Sequence, residues 1–257
     1  MLARPSAVAL LASGAALLLA TALAVSGWLA PADLLVRGAA LRSLPETQAR
    51  SVALVLVDEK AIRAHGPWPW PRALLAEVVT RVRAAGALGV VVDVLLPERR
   101  EGDAELAKAL AEGPSVLAAG VDGEGRWLLP APPLLERTVA GHVSFDIDRD
   151  GVVRRFRATR QAEGRSLPAL AVAAARIVAP SWPVPVGTVL RPGFRASRSI
   201  PSVGAGDLLG GGAAGILRGR VVFVGATAAG IGDRVVTPVT PRGTPEPGVR
   251  VEAAAAE

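Results

Sequence analysis

Two aspartates that follow buried apolar runs are the first residues to consider for chemistry. Residues 51–57 (SVALVLV) lead into Asp58, and residues 89–92 (GVVV) lead into Asp93. In open α/β sheets, ligands bind in the crevice outside the carboxyl ends of the strands. We predict that the two strands are neighbours, so that the two carboxylates can bind a cation, accept hydrogen bonds from a polar ligand, or act as acid and base. The alternative is that each aspartate caps the next turn or helix, or pairs with Arg72.

A second candidate is the loop Gly225-Ala226-Thr227-Ala228-Ala229-Gly230, which follows the apolar run 220–224. The loop is compact enough to present backbone N–H groups to an anion. It lacks the Lys-Ser/Thr pair of a nucleotide-binding loop, which argues against nucleotide hydrolysis. From their positions, we predict a ligand-binding site formed by a small set of polar residues: Asp58, Arg72, Asp93 and Thr227.

Three further motifs have a structural and a functional interpretation. The segment 146–151 (DIDRDG) matches the first half of a calcium loop, but Arg157 occupies the position of the bidentate glutamate. We favour a hairpin turn with Asp150 at the bend and Gly151 supplying positive φ. The aromatic element Trp68-Pro69-Trp70 can stack on a ligand or pack the following helix against the sheet. His65 and His142 lack metal-ligand spacing, so we predict no metal and no cofactor.

Composition excludes several classes of protein. The chain has 257 residues, 51% of them hydrophobic and 20% charged, which argues against disorder. It contains no cysteine, and therefore no disulfide and no thiolate nucleophile. The net charge of +6 comes from scattered arginines without interleaved stacking aromatics. We predict no nucleic-acid partner.

The amino-terminal segment is predicted to associate with a membrane. No charged residue occurs in residues 7–30. A helix of this length extends about 36 Å, enough to cross a hydrocarbon core of about 30 Å. A cleaved signal peptide ending near residues 22–24 (ALA) is the alternative, and either kind of segment exports the rest of the chain. We expect residues 1–6 in the cytoplasm, one span at 7–30, a connector at 31–48 and an extracytoplasmic domain at 49–257, in the periplasm or outside the cell.

The remaining pattern predicts an α/β fold with a mostly parallel central sheet, flanking helices and an inserted hairpin. Residues 51–57, a helix starting at Pro71 and residues 89–92 form a strand–helix–strand unit. Residues 141–145 and 152–159 are predicted to form the hairpin, and Ser166 to cap a helix. Residues 179–203 are rich in proline and serine and are predicted to be irregular.

Several segments together resemble the type-two CHASE domain, a sensory domain of bacterial signalling proteins. The matching stretches occur in the family's order and span most of residues 50–250: VALVLVDEKAI (52–62), GPWPWPRALLAEVV (66–79), AGALGVVVDVLLPE (85–98), GHVSFDIDRDGVVRR (141–155) and GRVVFVGATAAGIGDRVVTP (219–238). The Trp-Pro-Trp-Pro-Arg element and the Val-Gly-Ala-Thr-Ala-Ala-Gly element are the distinctive ones.

The resemblance implies an extracytoplasmic sensor that follows one membrane helix and precedes further helices and a cytoplasmic output domain, such as a cyclase or kinase. The segment 247–249 (PGV) resembles the lead-in to a returning membrane segment, so we expect a chain truncated before its second span. Arg250 and Glu252 stand where the family has an acidic residue and a histidine, and Leu75 where a histidine is frequent.

The function that we expect is a sensory module without catalytic activity, bound to the membrane and responding to an unidentified stimulus, small molecule or other. A homodimer is among the assemblies left open. The alternative function is an exported, membrane-anchored α/β hydrolase or transferase. A fragment that only binds a partner is a third interpretation.

Overall fold

The computed structural model describes residues 13–16, 21–22, 30–185, 187–195, 197–212, 214–240 and 244–257. The chain divides into two units, Met1–Pro45 and Glu46–Glu257. Within the first unit, helix α1 covers Ala30–Ser43. Most of the membrane span predicted at 7–30 lies outside the described residues. Among the residues that are described, no helix combines the length and the apolar character needed to cross a membrane.

The second unit is a mixture of strands and helices. Its strands are β1 (Val52–Val57), β2 (Gly89–Asp93), β3 (Ser115–Val121), β4 (Trp127–Leu128), β5 (Val139–His142), β6 (Asp146–Ile147), β7 (Val153–Arg157), β8 (Thr159–Ala162), β9 (Arg165–Pro168), β10 (Val189–Leu190), β11 (Ser202–Gly204), β12 (Val221–Ala226), β13 (Arg234–Val235) and β14 (Glu246–Pro247). Its helices are α2 (Glu59–His65), α3 (Arg72–Ala84), α4 (Asp103–Ala111), α5 (Pro132–Leu135), α6 (Leu170–Val178), α7 (Ala205–Leu209) and α8 (Gly248–Ala256), with a 3₁₀ turn at Gly215–Leu217.

The central sheet has seven strands in the order β11-β1-β12-β2-β3-β4, with β5 also paired to β3. All of its pairings are parallel except that of β3 with β4. The prediction of a mostly parallel sheet is therefore confirmed. Strands β1, β12 and β2 are apolar runs that are buried on both faces, as is typical of parallel strands.

One prediction about this sheet is wrong. Strands β1 and β2 are not neighbours, because β12 pairs with both of them. The three strands have similar apolar sequences, and nothing in such a run specifies which strand pairs with which. Two strand spacings, about 9.6 Å, therefore separate β1 from β2.

Helices cover both faces of the sheet and form two apolar layers. Val90 and Val92 belong to a cluster with residues of α3, α4 and α7. Val91 belongs to the cluster on the other face, with residues of α6 and α8. Side chains alternate between the two faces along a strand, so Asp93 follows Val91 toward the α8 face.

The segment after β3 differs from its prediction. Residues 139–142 pair in parallel with β3 within the central sheet, and the hairpin strand opposite β7 is the two-residue strand β6. Ser166 lies in β9, which forms a hairpin with β8, and α6 has no side-chain cap. The irregular region predicted at 179–203 contributes the edge strand β11. These strands are too short for apolar periodicity to detect them.

Candidate functional site

The carboxyl edge of the central sheet is where β1, β12 and β2 end side by side. Asp93, the last residue of β2, is paired with Gly225 of β12, and Gly225 is paired with Leu56 of β1. Asp58 follows the end of β1 directly. The two sequence-predicted aspartates therefore lie at the same edge, with β12 between them.

Asp58 is held by the helix that it begins. Its carboxylate accepts a hydrogen bond from the backbone N–H of Ala61 at 2.8 Å, as the N-cap of α2. The same carboxylate lies close to Gly204 and Asp207, because a Cβ atom on Gly204 would contact both acids at 3.4 and 3.3 Å. Asp58 thus faces the start of α7.

Arg72 is engaged in a buried ion pair at the start of α3. Only 5% of this residue is exposed, and its Nε donates to the Asp103 carboxylate at 3.0 Å. A second guanidinium nitrogen donates to the backbone oxygen of Glu98 at 3.2 Å. The structure therefore directs Arg72 toward α4, away from both sequence-predicted aspartates.

The loop 225–230 is attached to the carboxyl end of β1. The N–H of Thr227 donates to the Val57 oxygen at 2.9 Å, and the Thr227 oxygen accepts from Arg234 at 2.9 Å. The N–H of Ala229 donates to the Glu59 carboxylate at 2.8 Å. A carboxylate of the protein thus already occupies part of the anion site predicted for this loop. Gly230 adopts a positive φ of 79°.

An open cavity of about 410 Å³ lies at the carboxyl edge on the α8 side. Its walls combine apolar and acidic residues: Trp68, Pro69, Asp93, Val94, Leu95, Val143, Ala226, Gly232, Asp233, Val249 and Glu252. This volume is within the range of small-molecule sites in proteins. Of the four predicted site residues, Asp93 is the one that the structure places in this wall.

Close packing of α8 against β12 brings the acidic residues together. A Cβ atom on Gly225 would lie 2.7 Å from the Cβ of Val249, so the helix rests directly on the strand backbone. Glu252 follows Val249 by three residues and shares its side of the helix. The Asp233 carboxylate contacts Gly248, the first residue of the helix. Helix, strand and loop each contribute one carboxyl group.

Burial changes the acidity of two of these groups. Burial, and secondarily the charge of Asp233, raise the pKa of the Asp93 carboxyl to about 7. Burial is also the main reason why the pKa of Glu252 lies well above its ordinary value, and the charges of Asp93 and Asp233 add to it. The backbone N–H of Ala171 acts in the opposite direction on Glu252. Such a set can hold a cation or exchange protons near neutral pH.

Sequence reasoning missed Asp233 and Glu252 as site residues. The sequence marks Glu252 only as a departure from the family pattern, and Asp233 lies in a loop without a motif of its own. The available signal was an acidic residue on the apolar face of the helix 248–256, where an unpaired charge is costly.

Of the other motifs, the 146–151 turn lies outside this cavity, whereas the aromatic element contributes Trp68 and Pro69 to its wall. In the 146–151 turn, Arg154 pairs with Asp148 at 2.9 Å and with Asp150 at 2.6 Å. Gly151 has a φ of 78° in this hairpin turn between β6 and β7. Trp70 is buried in the core on the α3 face, whereas Trp68 is partly exposed at the cavity. No group of acidic and histidine residues in the described part of the chain could hold a metal ion.

His142 is a core residue of β5. It is 1% exposed, and its Nδ1 accepts from the N–H of Ser144 at 3.3 Å. Burial lowers the pKa of this imidazole to about 4, so it is neutral at physiological pH.

Comparison with known proteins identifies the family. A family model described as the CHASE2 domain matches residues 14–257. No curated protein and no solved structure matches the chain. CHASE2 domains are extracytoplasmic sensory domains. Because the match covers nearly the whole sequence, this chain belongs to the CHASE2 domain family.

Proposed function

We propose that the chain is the extracytoplasmic, ligand-binding module of a membrane-anchored signalling protein. Its membership of a sensory family supports the general role. The observation that carries the proposal is the ligand-sized cavity at the carboxyl edge, lined by Asp93, Asp233 and Glu252. Carboxyl edges of parallel sheets are the usual ligand sites of α/β folds.

Helix α8 connects the cavity to residues 50–52, which lead into β1. A change at the cavity can therefore affect the segment through which the chain enters this domain. Val249 and Glu252 line the cavity near the start of the helix. Beyond its other end, the Glu257 side chain accepts hydrogen bonds from the N–H groups of Arg50, Ser51 and Val52 at 2.7, 3.0 and 3.2 Å. A ligand that prefers one position of α8 would shift the population of that position.

The membrane anchor of this proposal is the uncharged segment 7–30. It places the domain in the periplasm or outside the cell, bound to the cytoplasmic membrane. The test is a pair of fusions after Glu257, one to alkaline phosphatase and one to a fluorescent protein that matures only in the cytoplasm. We expect an active phosphatase and a dark fluorescent protein. The reverse result would place the domain inside the cell and refute the proposal.

Sensing itself is tested with the full chain fused to the membrane helices and catalytic domain of a nucleotide cyclase. We expect cyclase output to change on exposure to extracts of the natural environment, and Asp93→Asn to abolish that change. Glu77→Gln, on the exposed surface of α3, is the matched control. A response that persists unchanged in Asp93→Asn would remove the cavity from the mechanism.

An exported hydrolase or transferase is the second candidate. The observation in its favour is that one cavity holds two carboxyl groups with raised pKa, as acid–base catalysis requires. Against it, the described residues of the wall include no serine, threonine, cysteine, histidine or lysine. Turnover of chromogenic esters or glycosides by the purified chain, abolished by Asp93→Asn, would favour this candidate.

A further inference from the structure

The acidic cavity lacks a positive charge from the protein. Among the described residues, Asp93, Asp233 and Glu252 take part in no ion pair. Glu252 is 3% exposed and lines the cavity, and its carboxyl accepts a hydrogen bond from the backbone of Ala171. A buried carboxylate is costly without a cationic partner, so such a group stays protonated unless a cation joins it.

The arginines nearest in sequence to Asp233 and Glu252 interact with groups other than these two acids. Arg234, next to Asp233, donates to the backbone oxygen of Thr227. Arg250, on the same helix as Glu252, donates to the backbone oxygen of Ser197 at 3.4 Å, and its charge interacts with that of Glu246. The described chain therefore supplies no counter-charge for the ionised forms of Asp93 and Glu252, and without one burial favours their protonated forms.

The other residues of the cavity wall favour an organic cation over a metal ion. The described residues offer no metal-binding group of acidic and histidine side chains. The rest of the wall is apolar and includes Leu95, which is 42% exposed, and Trp68. An aromatic ring attracts an organic cation in addition to covering apolar surface. A hydrated metal ion would gain nothing from this part of the wall.

We propose that this cavity binds a small organic ammonium ion, with the ammonium group between Glu252 and Asp93 and an apolar body against Trp68 and Leu95. This assignment rests on the proposed function, because it names the class of ligand that binds in the same cavity. Asp233, exposed at the rim, adds negative charge that attracts the cation.

The test measures binding to the purified full-length chain by isothermal titration calorimetry. The probes are propylammonium, 2-phenylethylammonium and pentane-1,5-diammonium, with 2-phenylethanol as the neutral counterpart of the aromatic amine. We expect 2-phenylethylammonium to bind about 10- to 100-fold more tightly than the alcohol, the difference expected for a buried hydrogen bond to a charged group. Mg²⁺ and Ca²⁺ are expected not to compete at millimolar concentration.

Variants then locate the site. Glu252→Gln and Asp93→Asn preserve shape and remove charge, and each is expected to weaken amine binding about tenfold or more. Glu77→Gln, an exposed acid of α3, is the matched control and is expected to bind like the parent. Circular dichroism of each variant verifies the fold. If Glu252→Gln impairs folding, the affinity of Asp93→Asn for the amines alone decides whether the cavity is the binding site.

Three results would overturn the inference: equal affinity for amine and alcohol, unchanged affinity in both variants, or competition by a divalent metal. Absence of binding by all three amines at 10 mM, which corresponds to a binding free energy of about −2.7 kcal/mol, would also overturn it.

The proposed function and the proposed ligand class can fail independently of each other. A correctly exported chain whose cyclase fusion responds through Asp93 but binds no amine keeps the sensory function and loses the ligand class. A cytoplasmic chain that binds amines keeps the site and loses the function.

Discussion

Val249 packs directly against the backbone of Gly225, at the point where β12 ends and α8 begins. The contact leaves no room for a side chain, because a Cβ on Gly225 would come within 2.7 Å of Val249. This close approach positions the next turn of the helix beside Asp93 and so creates the acidic wall of the cavity. Helix position and cavity chemistry thus depend on one glycine.

The first prediction concerns this contact. Gly225→Ala is expected to lower the free energy of unfolding by about 1–3 kcal/mol, because the added methyl group overpacks the helix–strand contact. The double variant Gly225→Ala, Val249→Ala is expected to recover part of the loss. Urea unfolding followed by tryptophan fluorescence measures both. The control is Gly215→Ala, since a Cβ there meets nothing within 4 Å. Equal stability of the two single variants would contradict the packing argument.

The second prediction concerns the pH dependence of stability. Asp93 keeps its proton in the folded chain up to about pH 7, whereas its ordinary pKa is 3.8. Between these values the folded state binds more protons than the unfolded state, so the free energy of unfolding falls as the pH rises. Relative to the parent, Asp93→Asn is expected to gain up to about 4 kcal/mol between pH 4 and pH 8.

Denaturant unfolding at pH 4, 6 and 8 measures this difference. Asp233 and Glu252 are the charged groups that face Asp93, and Glu252 contributes in the same direction. Carboxyls with lowered pKa, such as that of Asp150, act in the opposite direction, but they are common to both proteins and cancel in the comparison. Parallel pH profiles of parent and variant would show that folding does not raise the pKa of Asp93.

The third prediction compares a buried and an exposed ion pair. Arg72→Met removes the partner of Asp103 where both side chains are at most 8% exposed. The expected loss is about 3–5 kcal/mol, because an uncompensated charge stays buried. Arg81→Met breaks the exposed i,i+4 pair with Glu77 on the same helix and is expected to cost at most about 0.5 kcal/mol. Similar midpoints of unfolding for the two variants would refute the structural role of Arg72.

The fourth prediction concerns the cap of α2. Asp58→Ala is expected to cost about 1 kcal/mol, because the N–H of Ala61 loses its acceptor at the helix start. Asp58→Asn keeps an acceptor oxygen and is expected to lose much less. Thermal unfolding of the two variants at one pH distinguishes them. A full loss in Asp58→Asn would mean that the charge of Asp58 matters more than its capping oxygen.

The sequence by itself determined the elements that carry strong local signals. The apolar runs that became β1, β2 and β12 are long enough to specify strands buried on both faces. The helical periodicity after Pro71 specifies α3. The same signals, with the Trp-Pro-Trp-Pro-Arg element, were sufficient for the family.

The order of the central strands and the composition of the site were decided only by the tertiary structure. Placing β12 between β1 and β2 set Asp58 and Asp93 two strands apart, so that Asp58 caps α2 whereas Asp93 lines the cavity. Glu252 reached Asp93 across about 160 residues of sequence because Gly225 admits α8. Local patterns report the faces of a strand or helix, whereas contacts between distant segments depend on packing that no local pattern encodes.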